Sequence, residues 1–157
     1  IFICDKGSIK VKEILSKSKK IKENEGLGEL GLIVVDYIQM MDGPNKDSRD
    51  KELSKIVLDL KEMAKLLDVP VVLMSQLSRD IEKRENYRPM LSDLRETQGL
   101  EAHSDVVIML YRDEYYHPET EERGIAELIV TKHRNGPVGT VKLLFEPQYT
   151  RYRNLAA

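Results

Sequence analysis

Residues 32–41 form the stretch that decides the fold: Leu32-Ile33-Val34-Val35-Asp36-Tyr37-Ile38-Gln39-Met40-Met41. Its four consecutive apolar residues, two of them valines, predict a short strand buried on both faces of a parallel sheet. The strand stops at the carboxylate of Asp36. Ligands of open α/β sheets bind outside the carboxyl ends of the strands, so Asp36 lies where a metal or phosphate ligand belongs. The alternative is an aspartate that only opens the next turn.

The bulk composition describes one soluble globular domain of 157 residues, 41% apolar and 33% charged. Its 25 basic and 27 acidic residues give a net charge of −2, so any nucleic-acid contact must be made by local groups. The single cysteine, Cys4, excludes an internal disulfide and fits a reducing compartment. No zinc-ligand spacing joins it to His103, His117 or His133. No apolar run approaches the roughly 18 residues of a membrane span. We therefore expect a cytoplasmic protein with no membrane association.

The order of helical and strand patterns predicts the fold class. Residue 1 is not Met, and Ile1–Cys4 predicts a strand already in progress, so we expect a piece cut from within a domain. Amphipathic helices and apolar strands alternate at first. Further predicted elements are a helix over 51–67 and strands over 71–74, 106–110, 126–132 and 140–145. They predict an α/β fold with a mostly parallel sheet, helices on both of its faces and a C-terminal antiparallel hairpin.

Gln76 follows the predicted strand 71–74, as Asp36 follows the strand before it. If these strands are neighbours, an amide and a carboxylate share one edge of the sheet. A glutamine at that edge can hydrogen-bond a terminal phosphate or orient an attacking water. Taken alone, a polar residue at the start of a loop carries no such meaning.

Lys132 and Arg134 lie two residues apart at the end of a predicted strand, so their side chains leave the same face. The Asn135-Gly136 pair that follows is the strongest short hairpin signal, and it would project both cations from the domain. Two like charges on one protruding face indicate an anionic partner. This arrangement suits an arginine finger, with Arg134 of one subunit reaching the γ-phosphate bound by the next. The alternative is a solvated hairpin tip.

A short predicted helix ends at Asp93–Thr97, directly before Gln98 and Gly99. Arg95 and the backbone amides around Gly99 are suited to contact nucleic-acid phosphates. Surface ion pairs are the alternative for the charged residues of this segment.

Four stretches together resemble the C-terminal ATPase domain of DnaB-type replicative DNA helicases, a RecA-like motor. They are Leu32–Met41, Pro70–Arg79, Pro89–Glu96 and Lys132–Val141. Each is weak alone, but they come in the family's order and, with the connecting helix, cover nearly the whole chain from Ile9 on. The resemblance implies that residues 1–157 are part of a RecA-like domain, from the Walker B strand to the arginine-finger hairpin, without the N-terminal part of the core.

The resemblance assigns roles to four candidate residues of an ATP site. Asp36 would be the Walker B carboxylate, acting on Mg²⁺ through water. Gln76 would sense the γ-phosphate and relay its presence to the DNA-facing loops. Lys132 and Arg134 would be the finger pair that acts in trans.

The resemblance also implies a DNA-binding loop in the central channel of a hexamer. The residues assigned to it are Arg95, Glu96, Thr97, Gln98 and Gly99. Family members commonly have Ser-Gly after Arg-Glu, where a backbone amide approaches a DNA phosphate. Here Thr97-Gln98 stands in that place and the next glycine is Gly99, so the amide contact is either absent or shifted along the loop.

The 157 residues contain no G-x-x-x-x-G-K-[ST] phosphate loop. We therefore expect them alone neither to bind ATP tightly nor to hydrolyse it. The resemblance implies that the parent protein is an ATP-dependent helicase: a homo-hexamer on single-stranded DNA, with primase and a helicase loader as further partners. Two alternatives stay open: another RecA-like ATPase of the recombinase type, and a non-enzymatic DNA-binding or assembly module.

Overall fold

A computed structural model describes residues 1–24, 26, 28–43 and 48–155, and within them the backbone but not the side chains of residues 95–98. The chain divides into two compact units. Unit 1 comprises Ile1–Gln76 and Glu96–His103, and unit 2 comprises Leu77–Arg95 and Ser104–Ala157. None of the helices in the described residues combines the length and the apolar composition that a membrane crossing requires.

Helices and strands alternate along most of the chain, which then ends in three successive strands without an α-helix between them. The α-helices are α1 (Val11–Glu23), α2 (Arg49–Leu67), α3 (Gln98–His103) and α4 (Asp113–Tyr116). The strands are β1 (Ile33–Val35), β2 (Val71–Leu73), β3 (Val106–Tyr111), β4 (Ile125–His133), β5 (Gly139–Glu146) and β6 (Arg151–Asn154). Short 3₁₀ helices span Ile38–Met40, Arg79–Lys83, Leu91–Thr97 and Pro147–Tyr149.

Unit 1 is built on α2, whose apolar stripe contributes half of the buried apolar residues described in that unit. The buried members of the stripe are Leu53, Ile56, Val57, Leu60, Met63 and Leu67. Asp68 then ends the helix in the left-handed conformation, with its N–H bonded to the last-turn carbonyls. Strands β1 and β2 pair in parallel, with Val35 opposite Leu73.

The predicted burial of β1 on both faces is wrong in the described chain. Val35 is buried, but Val34 is 53% exposed and its neighbour on β2, Val72, is 47% exposed. An apolar run predicts that a strand is buried, but it does not say which elements cover it. The strand predicted for residues 1–4 is also absent from the described structure, and these residues join neither of its sheets.

Unit 2 contains a four-stranded antiparallel sheet in the order β3-β4-β5-β6. The predicted hairpin is confirmed as β4 and β5. Strand β3 is also antiparallel to its neighbour, so parallel pairing in the described residues is limited to β1 and β2. Between β3 and β4 the only described helix is the four-residue α4, and a parallel crossover generally needs a longer one. The sequence patterns do not predict β6, because Arg151–Asn154 is polar and exposed throughout.

Candidate nucleotide and DNA sites

Asp36 and Gln76 leave the same edge of the parallel pair. The backbone pairing continues past the strands, since Met74 N–H donates to the Val35 carbonyl at 2.9 Å and Ile38 N–H donates to the Met74 carbonyl at 3.0 Å. The two loops therefore leave the carboxyl ends of adjacent parallel strands. This confirms the condition on which a shared site depended, namely that the two strands are neighbours.

The side chains of Asp36 and Gln76 are both exposed at this edge. Among the described residues, neither side chain has a hydrogen-bond or ion-pair partner. A carboxylate and an amide without protein partners are open to an incoming ligand, so the geometry is compatible with the predicted metal and phosphate contacts.

Gln39 joins the two loops, and the sequence patterns did not single it out. Its Nε2 donates to the Ser75 hydroxyl at 3.1 Å, and its Oε1 accepts the Gln76 N–H at 3.4 Å. One amide thus fixes the backbone of Gln76 while the Gln76 side chain stays exposed. The available signal was a polar residue inside the apolar stretch Ile38–Met41.

The loop that carries Gln39 is itself held by α2. The guanidinium of Arg49 donates to the carbonyls of Gln39 at 2.8 Å and Met41 at 3.2 Å, and it pairs with the buried Glu52. Glu52 also accepts the Gly43 N–H at 2.8 Å. The Arg49 hydrogen bond, with help from Gly43, holds the pKa of Glu52 below its ordinary value. The loop after β1 is therefore tied to a charged pair on the first turn of the helix.

Arg134 lies one residue past the end of β4, at the base of the hairpin. Its N–H donates to the Asp105 carbonyl at 2.8 Å, and its Nη1 lies 3.4 Å from the Asp105 carboxylate. The Arg134 side chain is 53% exposed. Lys132 is partly buried and lies opposite Val107 in the sheet. The structure therefore keeps Arg134 near the surface on a fixed backbone.

The hairpin turn is wider than a two-residue Asn-Gly turn. The connection between β4 and β5 runs from residue 134 to residue 138. The His133 ring occupies the space beside Gly136, where an added Cβ would lie 2.4 Å from the ring carbon Cε1. Its Nδ1 lies 3.3 Å from the Pro137 carbonyl. The ring is therefore part of the packing of this turn.

The predicted DNA-binding side chains mostly lie outside the described residues. This applies to Arg95, Glu96, Thr97 and Gln98, whose backbone forms the end of the 3₁₀ helix and the start of α3. Gly99 is described and is buried. A Cβ on Gly99 would lie 2.7 Å from the Ser54 Cα on α2, so the absence of a side chain lets α3 approach α2.

Substituting Gly99 with alanine is expected to destabilise the protein by about 1–3 kcal/mol, because the new methyl group meets backbone rather than a movable side chain. The free energy of unfolding, measured by urea titration of the purified protein, checks this. Gly31→Ala is the matched control, because nothing lies within 4 Å of the Cβ it would add. Equal stability of the two variants would contradict the packing role.

Comparison with known proteins identifies the family. The family model described as "DnaB-like helicase C terminal domain" matches residues 1–154. The "Replicative DNA helicase DnaC" of Bacillus subtilis (strain 168) is 46% identical over 99% of this chain. The "Replicative DNA helicase DnaB" of Geobacillus stearothermophilus is 45% identical over the same share. The chain spans 34% of the length of each of these relatives.

Solved structures agree with the sequence relatives. The chain matches a solved structure described as an "ATPase Domain" with a TM-score of 0.92 and 45% identity, covering 97% of this chain and 54% of that one. It matches "The Structure Of A DnaB-Like Replicative Helicase And Its Interactions With Primase" with a TM-score of 0.93 and 45% identity, covering 98% and 37%. The α/β fold is thus that of RecA-like helicase ATPase domains, as predicted. The chain belongs to the family of DnaB-like helicase C-terminal domains.

Proposed function

We propose that this chain is part of an ATP-dependent replicative DNA helicase that translocates on single-stranded DNA and parts the duplex at the fork. The observation that carries the proposal is the parallel pairing of β1 and β2, which brings the exposed Asp36 and Gln76 to one sheet edge. Family membership supports the same reading over the recombinase alternative. The rest of the ATP site, including the phosphate loop, would come from residues outside these 157.

Asp36 is proposed to hold Mg²⁺ through water. The residue fits this ion, because Mg²⁺ keeps several waters and is usually bound by one or two carboxylates together with phosphates. A single exposed carboxylate without a protein partner among the described residues matches that demand. When bound with ATP, Mg²⁺ supplies positive charge to the β- and γ-phosphates.

Gln76 is proposed to hydrogen-bond the γ-phosphate or the attacking water with its side-chain amide. Its backbone is held by Gln39, so the amide starts from a fixed point at the sheet edge. Gln39 would act as a positioning residue, because its own amide is used by Ser75 and Gln76.

Lys132 and Arg134 are proposed to act on the nucleotide of a neighbouring subunit in a homo-hexamer. Arg134 would exchange its ion pair with Asp105 for the γ-phosphate. Surface ion pairs of this kind contribute only about 0–1 kcal/mol, so the exchange costs little. Because the finger comes from one subunit and Asp36 from the next, hydrolysis would depend on assembly.

The segment from Arg95 to Gly99 is proposed to bind single-stranded DNA. Arg95 would contact a phosphate, with Glu96, Thr97 and Gln98 beside it, and the Gly99 amide would lie at the inner end of the segment, where it meets α2. Few phosphates per subunit are needed in a hexamer, so a net charge of −2 is compatible with DNA binding.

A cytoplasmic location and contacts with primase and a helicase loader complete the proposal. The primase contact is supported by the similar solved structure of a DnaB-like replicative helicase that is described together with its interactions with primase.

An unwinding assay on the full-length protein tests the proposed function. With ATP and Mg²⁺ it is expected to separate a forked duplex and to show ATPase activity that rises with single-stranded DNA. Strand exchange without unwinding would support a recombinase instead. DNA binding without any ATPase activity would support a non-enzymatic module.

A further inference from the structure

The segment between Gln76 and Arg95 lies, in the chain, between the candidate phosphate sensor and the candidate DNA-binding residues. All of it from Leu77 on belongs to unit 2, together with the sheet that carries Arg134. Two sets of contacts hold this segment. One set is centred on Asp93, and the other joins the segment to the sheet.

The first set is the Asp93 clasp, formed by Ser78, Arg84, Met90 and Asp93. The Asp93 carboxylate pairs with the Arg84 guanidinium and accepts the Met90 N–H at 2.7 Å. The Asp93 carbonyl accepts the Ser78 N–H at 3.0 Å. Ser78 follows Gln76 by two residues, and Asp93 precedes Arg95 by two. The clasp therefore joins the two ends of the segment directly.

The carboxylate of the clasp is buried, and its guanidinium is partly exposed. The Asp93 side chain is 4% exposed and the Arg84 side chain is 27% exposed. Loss of the Arg84 cation would leave the buried Asp93 carboxylate without its charged partner, which is costly. By contrast, the adjacent pair Lys83–Asp80 is 80% and 63% exposed. Arg84 and Lys83 thus offer a matched comparison, within one segment, between a cation paired with a buried carboxylate and a cation paired with an exposed one.

The second set ties the same segment to the strand that leads to the finger. Arg88 donates to both carboxylate oxygens of Glu127, which lies on β4. The Tyr111 hydroxyl on β3 donates to the Asn86 carbonyl at 3.2 Å. Strand β4 ends one residue before Arg134. A displacement of the segment would therefore be transmitted to the sheet that carries Arg134.

We propose that the Arg84–Asp93 pair couples DNA occupancy at Arg95–Gly99 to ATP hydrolysis. DNA bound at residues 95–99 would fix the position of Asp93, which lies just before them in the chain. The hydrogen bond between Asp93 and Ser78 would then fix Ser78, two residues from the candidate sensor Gln76. The Arg88–Glu127 pair would transmit the same displacement to β4, the strand that leads to Arg134. Arg84 and Asp93 belong to neither candidate site, so the proposed role of both is that of positioning residues. The inference rests on the proposed function, because it needs a DNA-stimulated ATPase.

Three variants of the full-length protein test the coupling: Arg84→Met, Arg84→Lys and Lys83→Met. For each, steady-state ATPase activity is measured without DNA and with increasing oligo(dT), and thermal unfolding is followed in parallel. Arg84→Met is expected to keep basal ATPase within about twofold and to lose at least about fivefold of the DNA stimulation, the low end of typical coupling strengths.

The lysine variant distinguishes coupling from bulk stability. Only one nitrogen of Arg84 bonds Asp93, and the buried Nε has no hydrogen-bond partner among the described residues. A lysine can therefore keep the ion pair, and Arg84→Lys is expected to restore the stimulation. Lys83→Met is expected to behave as the unaltered protein.

The outcomes separate this inference from the proposed function. If DNA does not stimulate the ATPase activity of the unaltered protein, both the proposed function and this inference are contradicted. Stimulation that is lost in Arg95→Ala but kept in Arg84→Met would overturn the inference alone. Parallel loss of basal activity and melting temperature in both Arg84 variants would also overturn it, since the pair would then be structural only.

Discussion

Replacing Arg134 with alanine in the full-length hexamer is expected to abolish ATP hydrolysis while leaving ATP binding near normal. A finger that offsets charge on the γ-phosphate acts mainly in the transition state, and its loss typically costs about 10³-fold or more in kcat. ATP affinity, measured with a fluorescent analogue, and turnover, measured as phosphate release, check the two halves of this expectation.

Arg123→Ala provides the control for the Arg134 variant. Arg123 is also an exposed arginine of unit 2 in an ion pair, with its side chain 65% exposed beside Glu119. It lies in the loop before β4 rather than at the hairpin. Its removal is expected to leave turnover unchanged. Equal loss of binding and turnover in Arg134→Ala would make Arg134 a ligand of its own subunit's nucleotide or a structural residue.

Asp36→Asn is expected to lower Mg²⁺-dependent ATPase activity by about 10- to 100-fold, the usual cost of removing a group that orients metal-bound water. Asparagine keeps the shape of aspartate but loses the charge. The Mg²⁺ dependence of phosphate release measures the effect, and added Mg²⁺ is not expected to restore the rate.

Asp68→Asn is the matched control for the loss of a carboxylate in unit 1. Asp68 ends α2 in the left-handed conformation, which asparagine also adopts readily. This variant is expected to retain full activity. If the Asp36→Asn protein has unaltered turnover at every Mg²⁺ concentration, Asp36 is not part of the metal site.

The strand ends were predictable because each carries two signals at once. Asp36 and Gln76 each follow an apolar run, and the break from apolar to polar marks both the end of a strand and a candidate ligand. The hairpin was predictable for a similar reason, since Asn135-Gly136 marks a turn between two strand patterns. These local signals, together with the order of the four stretches, also indicated the fold class.

The remaining features depend on contacts between distant residues. Gln39 reaches Gln76, and Arg49 reaches the carbonyls of the loop before its own helix, but no periodicity marks such pairs. The direction of β3 was missed because an apolar run does not encode the direction of its neighbour. Asp93 was visible in the sequence as one charged residue among several, and only its burial beside Arg84 distinguishes it.

Mixing two variants with impaired ATPase activity tests the central claim most directly. One carries Asp36→Asn with Arg134 intact, and the other carries Arg134→Ala with Asp36 intact. If Asp36 and Arg134 meet across a subunit boundary, about a quarter of the sites in random mixed hexamers combine an intact Asp36 from one subunit with an intact Arg134 from its neighbour. ATPase activity then rises above that of either protein alone. No recovery of activity after verified subunit exchange would contradict the account. It would mean that one subunit supplies both residues of each site, so that every site in the mixture lacks either Asp36 or Arg134.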